Sequence, residues 1–294
     1  MYLHLLQKGE GWLKTNNIYT FNNMGGTASK QLTFFITNQD ESYNILNTAE
    51  SIDKYREECR ECVLNNKARE RNIYNAYPIK SETIELFKPY YDSIALSVPD
   101  RLKYDLGDVR IVYLSANADG GMPHTRPNNI ICLPYMDTLY PISTMHHELW
   151  HVHQRNYPLF WRDVLKNAWN CEPYTGGDIP PEFERLRRIN PDTMDEPYWL
   201  WNGIWVTIPV FENITQPSLR ETDILFFNTR TAYHTRTIPR ELKELFSDKL
   251  PSSAFEHPYE MAAYILTESS GKGTIAYNKI IAVIGKMAAN NDTI

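Results

Sequence analysis

His147-Glu148-Leu149-Trp150-His151 is the stretch on which the reading of this chain turns. Two histidines four residues apart on a helix project from one face, about a turn apart. That spacing lets both imidazoles bind one zinc ion at ~2.0–2.1 Å. Glu148 lies beside them and reaches a water at the metal without being a ligand. Zinc acidifies such a water, and a neighbouring carboxylate takes its proton. Met145, Leu149 and Val152 fall at i, i+4 and i+7 and form an apolar stripe, so the stretch is expected to be a helix with one buried face. Ser143 or Thr144 is expected to cap its start. His147 and His151 are therefore candidate ligands of a single Zn²⁺, and Glu148 is the candidate general base.

Upstream, residues 108–114 and 130–134 read as strands, with Pro134 suited to a strand end and a turn-rich stretch over 117–129 between them. Residues 32–36 form another strand-like run. A charged helix is expected over 48–72 and a second helix over 81–97. Downstream, a Trp-rich helix is expected over 160–169. Turns follow at 176–178 (Gly-Gly-Asp) and at Asn190-Pro191-Asp192. Residues 204–211 and 223–227 read as a hairpin with a long loop, and helices over 241–246, 258–267 and 274–289 close the chain. There is no internal repeat and no low-complexity tract.

A catalytic zinc site takes a third protein ligand and keeps a fourth position open. The extended metzincin pattern would place Gly at 154 and His at 157; Gln154 and Tyr157 stand there instead. The next candidate is Glu260, in Glu256-His257-Pro258-Tyr259-Glu260-Met261-Ala262-Ala263-Tyr264. Pro258 suits the first helical position, which puts Glu260 in the first turn. The small Ala262 and Ala263 allow this helix to pack close to the motif helix. His257, His234 and Glu256 compete for the role. Tyr264 and His257 share the face of Glu260 and are candidates for stabilising an oxyanion, with Tyr233 and His234 further ones.

H-E-x-x-H followed by a helix with E-x-x-A resembles the gluzincins, zinc metallopeptidases with a His, His, Glu ligand set. The resemblance implies an α+β, zincin-like fold: a small mixed sheet packed on the motif helix, and a C-terminal helical lobe. It implies His147, His151 and Glu260 as ligands of one Zn²⁺, Glu148 as general base, and a peptide or protein substrate. Tyr264 stands where several gluzincins carry an acid. The strand before the motif helix often edges the cleft and pairs with extended substrate. That makes Ile130, Ile131 and Cys132 candidate substrate-binding residues and puts His124-Thr125-Arg126 on the rim. On this division residues 24–294 form one catalytic unit. It comprises a 24–157 lobe with the motif helix, an insertion or second lobe over 158–250, and the third-ligand helices over 251–294. Rival readings are a non-catalytic zincin-like structural or interaction protein, a zincin acting on DNA–protein crosslinks, and a peptide deformylase with Cys132 as ligand.

Composition narrows the partners. The chain has 294 residues, a net charge of −6 and a pI near 5.8. A nucleic-acid partner is not expected, since phosphate binding draws on a basic excess. The four cysteines are too sparse for a disulfide scaffold, and Cys59-x-x-Cys62 has no second pair to complete a four-thiolate zinc site. Two small apolar residues on one helix face are expected there. With no run of ~18 apolar residues a transmembrane segment is not expected, and the apolar opening 1–6 is too short for a signal-peptide core. The expected location is intracellular and cytoplasmic. Met24-Gly25-Gly26-Thr27-Ala28-Ser29 matches the N-myristoylation pattern, which operates only on a free N-terminal glycine. Were Met24 the start, residues 1–23 would be a non-native or flexible extension, Gly25 the lipidation site, and membrane association would follow. The overall pattern is also similar to predicted metallopeptidases of large DNA viruses, which implies virion association.

Overall fold

A computed structural model describes residues 11–15, 18–22, 31–177, 179–246, 250–267 and 271–291. Gly25 and most of the 1–23 segment lie outside them. Strands β1 (Gly11–Thr15) and β2 (Ile18–Asn22) pair antiparallel. Strand β3 (Thr33–Ile36) then leads into helix α1 (Gln39–Asp53), which starts on a capping box: the Asn38 side chain accepts the Glu41 N–H and the Glu41 carboxylate accepts the Asn38 N–H.

The single charged helix expected over 48–72 is three. α1 stops at Lys54 (φ 51°), α2 spans Tyr55–Glu61, and α3 spans Val63–Arg69. The break has a local cause. Glu50 turns back to accept the N–H groups of Arg56 and Glu57, Asp53 accepts that of Tyr55, and both carboxylates bind Arg126. Cys62 has extended backbone between α2 and α3, so Cys59 and Cys62 do not share one helix; all four thiols are free.

Helix α4 (Ser81–Ser97) and the short α5 (Asp100–Asp105) precede β4 (Asp108–Leu114), β5 (His124–Arg126) and β6 (Ile130–Pro134). The sheet order is β3-β4-β6-β5, with β3, β4 and β6 parallel and β5 antiparallel to β6. Strand β6 is apolar throughout because both its faces are covered. Ile131 and Leu133 pack with Met145, Leu149 and Val152 of the motif helix, α6 (Ile142–Asn156). Ile130 and Cys132 pack with Leu46 and Ala49 of α1 on the other face.

Pro141 precedes α6, and no side chain caps the helix; the expected cap at Ser143 or Thr144 is absent because the helix already begins at Ile142. Helix α7 (Pro158–Trp169) follows directly and ends at Asn170 in the left-handed region (φ 52°). The segment beyond it supplies β7 (Cys171–Pro173), the single-turn α8 (Pro181–Glu184), β8 (Trp199–Trp201), β9 (Trp205–Phe211), β10 (Thr222–Asn228) and β11 (His234–Thr235). These five strands make an antiparallel sheet in the order β11-β10-β9-β8-β7. Trp199, Trp201, Ile224 and Phe226 on one face join the same core as α6 and α7. Helices α9 (Arg240–Phe246), α10 (Pro258–Thr267) and α11 (Ile275–Asn291) complete the chain; α10 packs on α6, and its Met261, Ala262 and Ala263 are fully buried. The architecture is α+β, with a four-stranded and a five-stranded sheet besides the β1–β2 pair. Among the described residues, no helix is long and apolar enough to cross a membrane.

Candidate metal centre

Helices α6 and α10 bring His147, His151 and Glu260 together. The Nε2 atoms of the two histidines lie 3.0 Å apart, and Glu260 Oε2 is 3.2 Å from that of His147 and 3.4 Å from that of His151. A tetrahedral ion with bonds of ~2.0–2.1 Å needs ligand atoms roughly 3.3–3.4 Å from one another, close to what these three present. Two imidazoles and a carboxylate are also a donor set that suits zinc. The electrostatics favour positive charge at the meeting point. Burial disfavours a charged His151, but Glu260 and Asp192 outweigh it and push its pKa up to about 10. Burial likewise opposes ionisation of Glu260, yet His151 and His147 hold its carboxyl well below the ordinary range.

Each member of the triad has a neighbour beside it. His151 Nδ1–H donates to Gln154 Oε1 (2.7 Å), which leaves Nε2 to face Glu260, and Gln154 is fixed in turn by donating to the Tyr259 carbonyl (3.0 Å). Glu260 Oε1 accepts from Asn190 Nδ2 (2.9 Å). The Tyr264 ring packs edge-on against His147, centroids 4.6 Å apart.

A cavity of about 300 Å³ opens at the triad; His147, Glu148, Glu260 and Tyr264 line it together with Ser143, Asp192 and Asp119. Glu148 is 4% exposed, and its Oε2 has no hydrogen-bond partner among the described residues. Burial, then Asp192 and Glu260, push the Glu148 carboxyl well up, against the opposing pull of His151. A cation at the triad would oppose that rise.

The expected substrate strand is corrected. Ile130, Ile131 and Cys132 are fully buried, and β6 is paired on both sides, so it has no free edge. The edge is β5, a three-residue strand too short to show alternation in sequence. Its outward N–H, at Thr125, donates to Asp192 Oδ1 (2.6 Å), as does the Thr125 hydroxyl (2.6 Å). His124 lines the cavity; Arg126 is buried in ion pairs with Asp53 and Glu50.

The other candidate ligands and oxyanion groups are not part of the triad, although Glu256 lines the same cavity. His234 is exposed on β11, and Tyr233 is exposed beside Trp205. His257 donates to the Glu196 carbonyl and accepts the Tyr259 N–H, while Glu256 is bound by Arg188 and Asn190. Cys132 sits against Tyr74, outside the triad. Gln154, Asn190, Asp192 and Arg188 were not singled out as site residues by the sequence, although Asn190-Pro191-Asp192 reads as a turn there. The chain matches no family model, no curated protein and no solved structure.

Proposed function

We propose that this chain is a zinc-dependent peptidase, with a gluzincin-like ligand set on a zincin-like scaffold. The observation that carries the reading is the convergence of His147, His151 and Glu260 beside a buried Glu148 oxygen that no hydrogen bond satisfies. His147, His151 and Glu260 would hold the zinc ion, which when bound would supply Lewis acidity toward the scissile carbonyl and a water. Glu148 takes the proton of the attacking water and passes it to the leaving amine. Tyr264 lines the cavity beside His147, which supports the reading that it donates to the oxyanion. The substrate is a peptide or protein segment entering between β5 and α10.

One observation favours the rival reading, a non-catalytic zincin-like interaction protein. Asp192 occupies the Thr125 N–H, the point at which an extended peptide would pair with the sheet edge. Metal analysis and turnover decide between the two. The purified chain is expected to hold about one zinc, lost in the His147→Ala/His151→Ala double variant; full occupancy in that variant would sink the metal assignment. Glu148→Gln is expected to keep zinc and lose hydrolysis of a fluorogenic peptide library by ~10²–10⁴-fold. A zinc-loaded wild type that cleaves nothing in the library supports the rival.

A further inference from the structure

Glu260 is held from two sides. Oε2 faces the two imidazoles, and Oε1 accepts from Asn190 Nδ2. The same amide nitrogen also donates to Glu256 Oε1, while Asn190 Oδ1 accepts the Asp192 N–H (3.0 Å). That last bond orients the amide, with its oxygen toward the turn and its NH₂ toward the two carboxylates. Asn190 is 9% exposed, Glu260 8% and Glu256 4%, so two acidic side chains share one small buried space. Arg188 binds the far oxygen of Glu256.

The backbone that carries Asn190 is anchored from three directions. Arg187 bridges to Val210 of β9, and the Arg188 N–H donates to the Pro209 carbonyl. Asn65 of α3 donates to the Arg187 carbonyl and accepts the Ile189 N–H, and Arg69 donates to the Ile189 carbonyl. Arg155 of α6 donates to the Pro191 carbonyl. The Asn190 amide is thus a fixed part of the frame.

We propose that Asn190 is a positioning residue for the metal centre: it gives one N–H to Glu260 and one to Glu256, so that Glu260 reaches the metal through Oε2 alone and is insulated from the charge of Glu256. The inference rests on the reading that His147, His151 and Glu260 hold zinc. Binding Glu260 through one oxygen leaves room for the open position a hydrolytic site needs. Without the amide, Oε1 is free to turn toward the metal or away from Glu256, and two buried carboxylates face each other with no donor between them.

Zinc affinity, read by chelator competition at pH 8 with circular dichroism as the check on folding, tests this. Asn190→Ala is expected to bind zinc roughly 10- to 100-fold more weakly. Asn190→Asp keeps the shape but replaces the donors with a third acid, and it is expected to bind more weakly still. A residue that served only the turn would give the opposite order, since aspartate also accepts the Asp192 N–H. An Asp variant as tight as the Ala variant or tighter overturns the proposal, as does an Ala variant equal to wild type. Should the Asp variant unfold, Glu256→Gln decides: in the Asn190→Ala background it is expected to restore at least threefold of the lost affinity, and no restoration overturns the proposal. Zinc retention in the His147→Ala/His151→Ala double variant would instead remove the metal reading on which the proposal rests.

Discussion

Gln154 holds His151 in one tautomer, and it does so with a neutral amide whose other end is tied to the backbone of α10. One side chain therefore links the two helices that carry the proposed ligands. Gln154→Leu would strand the His151 Nδ1–H in a dry environment. A buried group left unpaired costs about 1–3 kcal/mol, so stability is expected to fall by that order. Zinc affinity is expected to fall roughly 10- to 100-fold, since a partner behind a metal-binding histidine sets its orientation and basicity. Gln154→Glu keeps an acceptor for His151, so its zinc affinity should exceed that of the Leu variant. Chelator competition on the two variants measures this, and equal affinities would remove the role from Gln154. At the same position the sequence says only that the metzincin glycine is missing. The orienting role is invisible there, because it depends on where the Tyr259 carbonyl falls in space.

At the scale of elements, β5 and the 187–192 segment decide how the cavity is used. Asp192 accepts both the N–H and the hydroxyl of Thr125 on the sheet edge. Asp192→Ala frees that N–H for a peptide carbonyl. A hydrogen bond is worth about 0.5–1.5 kcal/mol net, so a labelled extended peptide should bind the Glu148→Gln protein ~2- to 10-fold more tightly when Asp192 is also replaced. Polarisation titration measures it, and unchanged binding would mean that peptides do not add to β5. The longer elements were legible. The runs at 81–97, 108–114, 130–134 and 258–267 fall on α4, β4, β6 and α10, because each carries a pattern long enough to fix its period. The expected hairpin over 204–211 and 223–227 is β9 and β10. What failed were short or long-range features. β5 has three residues, and the break of α1 at Lys54 depends on Arg126, distant in sequence. His147 and His151 were legible because helix spacing sets them on one face, and Glu260, which converges with them, was pointed to by the gluzincin resemblance rather than by spacing. Asn190 and Asp192 were not, since a turn in sequence does not say what it covers.

Across the whole molecule, buried neutral histidines tie the elements together and set its response to acid. His153 faces away from the cavity, donating through Nε2 to Asp105 of α5 and accepting the Trp161 indole N–H of α7 at Nδ1. His257 joins the start of α10 to the Glu196 carbonyl. Burial pushes the pKa of both down, that of His257 to about 4. In the unfolded chain each returns to the ordinary value near 6.5. The unfolded state therefore binds protons first as pH falls. The stability these groups contribute is whole above pH ~6.5 and falls in acid, that of His257 being lost on descending toward pH ~4. For His257 alone the shift corresponds to roughly 3 kcal/mol. Protonation would also set a second N–H on Nδ1 against the Tyr259 N–H that now donates there. His257→Gln keeps a donor for Glu196 but does not titrate, so its stability deficit at pH 7 is expected to shrink by about 2 kcal/mol by pH 4.5. Urea unfolding of both proteins with chelator present, so that loss of metal in acid does not enter, measures the gap. A gap that stays constant across that range would assign the acid sensitivity to other groups.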